Sequence, residues 1–165
     1  MALVAVLGIA RILFAAMGSE PADEWMRWAP SVDLRALAPG DTAIRTAANR
    51  SWLLVALNDE DMAVLATLDP ARLLDPKARD PGALDIRLVR VELDGTTRHF
   101  GLFDPHGPTG CLVRHDPAGW NDPCRAARYD PLGRAYRDGS AEANLPMPLF
   151  AIRGGTLYLR PEQPN

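Results

Sequence analysis

At 165 residues, 47% hydrophobic and 24% charged, the chain is sized for one domain with a short extension and is apolar enough to bury a core. A net charge of −3, a single lysine (Lys77) and no basic stripe interleaved with aromatics argue against nucleic acid as a partner. Fifteen prolines and 13 glycines, spread along the chain, favour short strands and turns over long helices.

Residues Ala2 to Gly18 are apolar except for Arg11. That run is at the short edge of what crosses a bilayer, roughly 17–25 residues. An arginine at mid-membrane costs at least ~2.5 kcal/mol unless it reaches the interface or a partner. A cleavable signal peptide would open with basic residues, and none precedes Arg11. A soluble amphipathic helix would have Arg11 as its only polar side chain. A membrane anchor over residues 1–18, packed on partner helices, fits the pattern best, with a hinge over residues 19–31. The flank after it is acidic (Glu20, Asp23, Glu24), broken only by Arg27. By the positive-inside rule the rest of the chain then lies outside the cytoplasm. Trp25 and Trp28 follow, either as an interfacial aromatic belt or as ordinary packing of the linker.

From Val32 onward the pattern is one of short strands. Val32–Gly40 reads as an edge segment and turn. Asp41–Thr46 and Ser51–Leu57 read as a hairpin, with Asn49-Arg50 near its turn. Asn58 followed by Asp59, Glu60 and Asp61 caps a short helix running to Leu65. Leu68–Pro81 contains Asp-Pro three times and reads as an irregular excursion. Asp85–Leu93 is a strand, Asp94-Gly95 a hairpin turn, and Thr97–Leu102 the return. Two loops follow, Phe103–Cys111 and Arg114–Cys124. Gly133–Tyr136, Leu149–Ile152 and Thr156–Leu159 close the sheet, with Gly154-Gly155 as the last turn. Strands do not alternate with helices, so the expected fold is mainly β, an antiparallel sandwich over residues 32–165.

Candidate chemistry is sparse. Cys111 and Cys124 could be free buried thiols or a disulfide closing a loop of about 14 residues, which would contribute on the order of 3 kcal/mol in an oxidising compartment. Asp104 with His106, and His115 with Asp116, resemble acid–base pairs, but no serine sits in a strained elbow beside either. His99, His106, His115, Asp104, Asp116 and Asp122 are possible metal donors without helical i, i+4 spacing.

The stretch Gly119-Trp-Asn-Asp-Pro-Cys-Arg-Ala-Ala-Arg-Tyr-Asp-Pro-Leu-Gly-Arg134 resembles the cluster-binding half of a Rieske iron–sulfur protein, whose pattern is roughly G-W-F-C-P-C-H-G-S-H-Y-D-x-x-G-R. With the anchor, the hinge, the Asp-Pro excursion and the closing Asn144-Leu-Pro-Met-Pro-Leu-Phe150, the chain is similar to the Rieske subunit of ubiquinol–cytochrome c reductase. The resemblance implies a Rieske-like antiparallel β sandwich behind one N-terminal transmembrane helix. It also implies which positions matter. The first cluster loop, C-T-H-L-G-C, aligns with His106-Gly-Pro-Thr-Gly-Cys111, so the thiolate ligand becomes His106 and the imidazole ligand becomes Pro108. The second, C-P-C-H-G-S, aligns with Asp122-Pro-Cys-Arg-Ala-Ala127. There the ligands become Asp122 and Arg125, and the serine becomes Ala127. Cys111 and Cys124 match the pair that the family joins in a disulfide. The proline loop G-P-A-P becomes Gly139-Ser-Ala-Glu142, so the stiff third wall of the cluster pocket is expected to be lost. Arg125 and Arg128 are expected to form ion pairs with Asp122 and Asp130 near Arg134, or a docking patch for an acidic partner.

A Rieske centre needs two thiolates and two imidazoles, and guanidinium and proline supply neither. The resemblance therefore implies a non-catalytic, cluster-free accessory subunit, without cofactor, metal or catalytic residue of its own. Its host would be a respiratory or photosynthetic complex, ubiquinol–cytochrome c reductase or its supercomplex with cytochrome oxidase. Its partners would be transmembrane subunits and the bilayer. Its place would be the inner (cytoplasmic) membrane, single-pass, with the head on the periplasmic side. The rivals are a redox or mononuclear metal-binding protein using His106, Asp122 and the thiols, and a transient assembly factor.

Overall fold

A computed structural model describes residues 22–47, 49–76, 87–106 and 110–160. The anchor expected over residues 1–18 and the Pro108 position lie outside the described residues. Within them, no helix is long and apolar enough to cross a membrane. The segment expected as a hinge contains one short helix, α1 (Ala22–Met26).

The chain is mainly β, with three small antiparallel sheets among the described residues. The first joins β1 (Ser31–Asp33), β10 (Thr156–Leu159) and β9 (Phe150–Arg153), in that order. The second is β2 (Thr42–Ala47), β3 (Arg50–Ala56), β5 (Thr96–Phe103) and β4 (Val89–Leu93). The third is a meander of β6 (Arg114–Asp116), β7 (Gly119–Asp122) and β8 (Ala127–Tyr129).

Strand β3 explains how these sheets stack. Successive side chains of a strand point to opposite faces, and every residue from Trp52 to Leu57 is buried. Trp52, Leu54 and Ala56 join Phe100, Leu102, Val32, Leu157 and Leu159 in one core, between the first and second sheets. Leu53, Val55 and Leu57 join Phe103, Trp120, Tyr129 and Leu145 in another, between the second and third. The four-stranded sheet is thus the middle layer of three, covered on both faces. That refines the expected sandwich: the continuous apolar run reflects burial on both sides.

Helix α2 (Asp59–Thr67) forms as its cap requires. Asn58 accepts from the Asp61 N–H at 2.9 Å, and Asp61 accepts in return from the Asn58 N–H at 3.1 Å. Two satisfied donors at the first turn fix the helix start. Arg114–Cys124, expected as a loop, instead carries the whole of β6 and β7. Gly133–Tyr136, expected as a strand, makes only isolated bridges, Leu73 to Tyr136 and Tyr129 to Ala135.

Candidate functional site: a disulfide-linked loop pair on a folded base

The motif that prompted the Rieske comparison has two parts, and they do different work. Gly119, Trp120, Tyr129, Asp130, Gly133 and Arg134 form the base. Gly119 has φ 134°, and a Cβ there would lie 2.8 Å from the Asp130 Cα and closer still to the Tyr129 carbonyl oxygen. Only glycine lets β7 approach the end of β8 so closely. The Trp120 ring meets Phe103 edge-on at 5.5 Å, and its indole N–H donates to the Pro131 carbonyl at 3.3 Å. Such a pair fixes the ring and satisfies its one polar atom. Gly133, φ 74°, lies against the Phe103 ring.

Asp130 organises the turn after β8. Its Oδ1 accepts from the Leu132 N–H at 3.0 Å and the Arg134 N–H at 2.8 Å, while Oδ2 accepts from Arg134 Nε at 2.6 Å. The residue is fully buried. Burial pushes its carboxyl above the ordinary range, outweighing the charge and hydrogen bonds of Arg134, which pull it down. Within Gly133–Tyr136, the Arg134 N–H is thus taken by Asp130 and the Ala135 N–H by Asn144 Oδ1 at 2.9 Å, side-chain acceptors in place of a strand ladder.

The tip is built from two loops. In the first, the His106 N–H donates to Asp104 Oδ1 at 2.9 Å, and the Val113 N–H donates to the Pro105 carbonyl at 2.8 Å. The His106 ring also meets Asp104, with Nδ1 3.4 Å from Oδ1. In the second, buried Asp122 closes a turn twice over. Its side chain accepts from the Cys124 N–H at 2.8 Å, and its carbonyl accepts from the Ala126 N–H at 2.9 Å. A disulfide between Cys111 and Cys124 joins the loops, with Cα atoms 6.3 Å apart. This is the pairing that the resemblance implied.

The donor set does not fit a Rieske cluster. Asp122 is an oxygen donor already holding the Cys124 N–H. Arg125 has no lone pair to give, is exposed, and faces Glu142 at 3.8 Å. Ala127 offers no hydroxyl. Asp122 also bears on its neighbour Tyr129, whose hydroxyl is held above its usual range by burial first and the Asp122 charge second.

Several expected contacts are placed differently. Arg125 pairs with Glu142 and Arg128 with Asp138, at 3.8 and 3.9 Å; Asp130 takes Arg134. The segment Gly139–Glu142 still borders the second loop, since the Ser140 hydroxyl donates to the Arg125 carbonyl. It has no proline where the Rieske pattern G-P-A-P has two. His115 stacks edge-on to Trp120 at 5.0 Å, and its carboxylate neighbour at 3.6 Å is Asp61, from α2. Asp116 is used elsewhere, accepting from the Ala118 N–H and from Asn121 Nδ2. His99 lies on β5 opposite Arg90, away from the loops.

One residue was missed from sequence. Ala126 has φ 57°, a conformation that costs an L-residue about 1–2 kcal/mol. It stands where the family motif has glycine, and that was the available signal. Ala126→Gly is expected to stabilise the protein by a few tenths to about 1 kcal/mol, read as a raised urea midpoint, because relief of the backbone exceeds the entropy that glycine adds to the unfolded chain. A lowered midpoint would show that the turn gains more from the methyl group.

No family model and no curated protein matches the chain. Among solved structures it is similar to a chain of "Hyperthermophilic respiratory Complex III". That likeness covers 94% of both chains at 16% identity, with a TM-score of 0.48.

Proposed function

We propose that this chain is a cluster-free, Rieske-like accessory subunit of a membrane electron-transport complex of the ubiquinol–cytochrome c reductase type, or of its supercomplex with cytochrome oxidase. Its N-terminal segment anchors it in the cytoplasmic membrane, and its β head stands on the outer side. The observation that carries this reading is the split within one motif. Residues that hold the base together match the Rieske pattern and are packed as structural residues. Residues at the described ligand positions of the tip are a carboxylate, an imidazole and a guanidinium, each already engaged within the chain. A disulfide clips the loops without help from a metal. Such a head would contribute surface and shape, and the electron-carrying chemistry would belong to other subunits.

The test is spectroscopic. Membranes carrying the chain, solubilised mildly, are expected to release it with transmembrane subunits at constant stoichiometry. The isolated chain should show no Rieske electron-spin signal after reduction and contain no stoichiometric iron and sulfide. Either finding in the isolated chain would sink the cluster-free reading. Loss of the chain from the complex on gentle detergent exchange would favour a transient assembly role.

One observation favours a metal-binding rival: donor atoms of Cys111, Asp122 and Cys124 lie within 4.8 Å of one another. While the two sulfurs are bonded to each other, that set is one carboxylate and a disulfide, a poor site for zinc or iron. Metal retained at one equivalent after disulfide reduction would favour the rival.

A further inference from the structure

The open end of the first sheet gathers apolar and basic side chains where the chain arrives from its apolar N-terminus. Trp28 is 86% exposed and Leu149 is 64% exposed. They are far apart in sequence but close in the fold. The Leu159 N–H donates to the Pro30 carbonyl, two residues after Trp28, at 2.9 Å. The next residue, Arg160, donates its N–H to the Leu149 carbonyl at 2.8 Å. The Arg160 guanidinium lies 6.0 Å from the Trp25 ring centre. Arg45 reaches the same end, its Nε donating to the Ser31 carbonyl at 3.1 Å. With exposed Arg27, three arginines gather around this end, beside the acidic Asp23 and Glu24 of α1.

Exposed tryptophan, leucine and arginine together match the interfacial layer of a bilayer, where indoles sit at headgroup depth and guanidinium groups meet lipid phosphates. The covalent path agrees. From Gly18, the last residue of the apolar run, to Trp28 is ten residues, five of them in α1. Such a tether spans at most about 25 Å, from roughly 3.5 Å per extended and 1.5 Å per helical residue. A head tied that closely to an inserted segment cannot hold its entry point far from the surface.

We infer that Trp25, Trp28, Leu149, Arg45 and Arg160 form a lipid-contact face by which the open end of the β1–β10–β9 sheet rests on an anionic phospholipid surface. The inference rests on the membrane-anchor part of the proposed function, and it adds which end of the head faces the bilayer. The disulfide-linked loops belong to a different sheet and take no part in the contact.

The experiment uses the full chain reconstituted into phosphatidylcholine–phosphatidylglycerol vesicles containing lipids brominated near the glycerol end of the acyl chains, which quench tryptophan on contact. Trp52 and Trp120 are buried within the head, so the quenched emission is expected to come from Trp25 and Trp28. Trp28→Phe should lose a large part of it. In that background Leu149→Trp should restore quenching, whereas Leu112→Trp, beside the disulfide, should not. Quenching unchanged by Trp28→Phe, or equal at positions 112 and 149, would overturn the inference. So would vesicle-bound protein with no quenching, which would leave the face to a protein partner. Flotation of the vesicles reads the anchor separately: a chain that fails to float removes the anchor and this inference together. No partner subunit is present, so the quenching pattern does not depend on the accessory-subunit role.

Discussion

Asp130→Ala is expected to destabilise the head by about 3–5 kcal/mol, the usual cost of removing one partner from a buried ion pair. Asp130 is fully buried and the Arg134 side chain is 11% exposed, and one carboxylate satisfies two backbone N–H groups and one guanidinium N–H. Alanine would leave all three without that acceptor, and each buried donor left unsatisfied carries its own penalty. The turn also seats Pro131, whose carbonyl receives the Trp120 indole N–H. The expected result is a large fall in the urea midpoint together with a change in tryptophan emission. The pH dependence has a definite sign. Burial raises the folded-state pKa of Asp130 above the ordinary aspartate value of 3.8. The folded state therefore binds this proton more tightly than the unfolded chain does. Its contribution to stability is greatest below 3.8 and is lost as pH rises through the folded-state value. The gap between native protein and variant should widen as pH falls from 7 through the raised folded-state value. A gap of under ~1 kcal/mol at pH 7, where surface ion pairs fall, would show that Asp130 is not the anchor of the base.

Reduction of the Cys111–Cys124 disulfide is expected to cost about 3 kcal/mol, the loop-closure value for a bridge of this span. For a chain of this size that is a fall in Tm on the order of 10 °C. The base should remain folded at room temperature. The Asp122 turn, the Val113–Pro105 bond and the Trp120–Phe103 contact do not depend on the sulfurs. The Cys111→Ser, Cys124→Ser double variant should reproduce the loss and be insensitive to reductant. A reduced protein with unchanged Tm would mean that the Asp122 turn alone sets the loop geometry. The clip would then be dispensable, and the structural reading of the tip would lose its main support.

Elements with local signals were legible in the sequence. The Asn58 cap, the Asp94-Gly95 turn and the short apolar run of β3 each depend on a few neighbouring residues, so reading them needs no knowledge of the fold. The meander β6–β8 was not legible. Its strands are three or four residues long and broken by proline and glycine, too short for a periodicity. Trp52–Leu57 read as a strand, yet nothing local said that both its faces would be covered. The charge pairs were the least legible. Arg125 was placed with Asp122 by proximity in sequence, while the fold brings Glu142 to it from the next loop. His115 was paired with adjacent Asp116, while Asp61 reaches it from a helix more than 50 residues earlier.

The sequence by itself determined the β character of the chain and the donor atoms available at the tip, while the pairing of Cys111 with Cys124 came from the resemblance. Those follow from side-chain identity: a guanidinium cannot ligate a metal wherever the fold puts it. The tertiary structure alone decided that the motif divides into a packed base and a polar tip. It also decided that Asp122 is held by the backbone of its own loop, and that Trp25 and Leu149 share one end of a sheet through Arg160. Those depend on which distant segments meet, and only the burial of the two cores, which draws them together, fixes that.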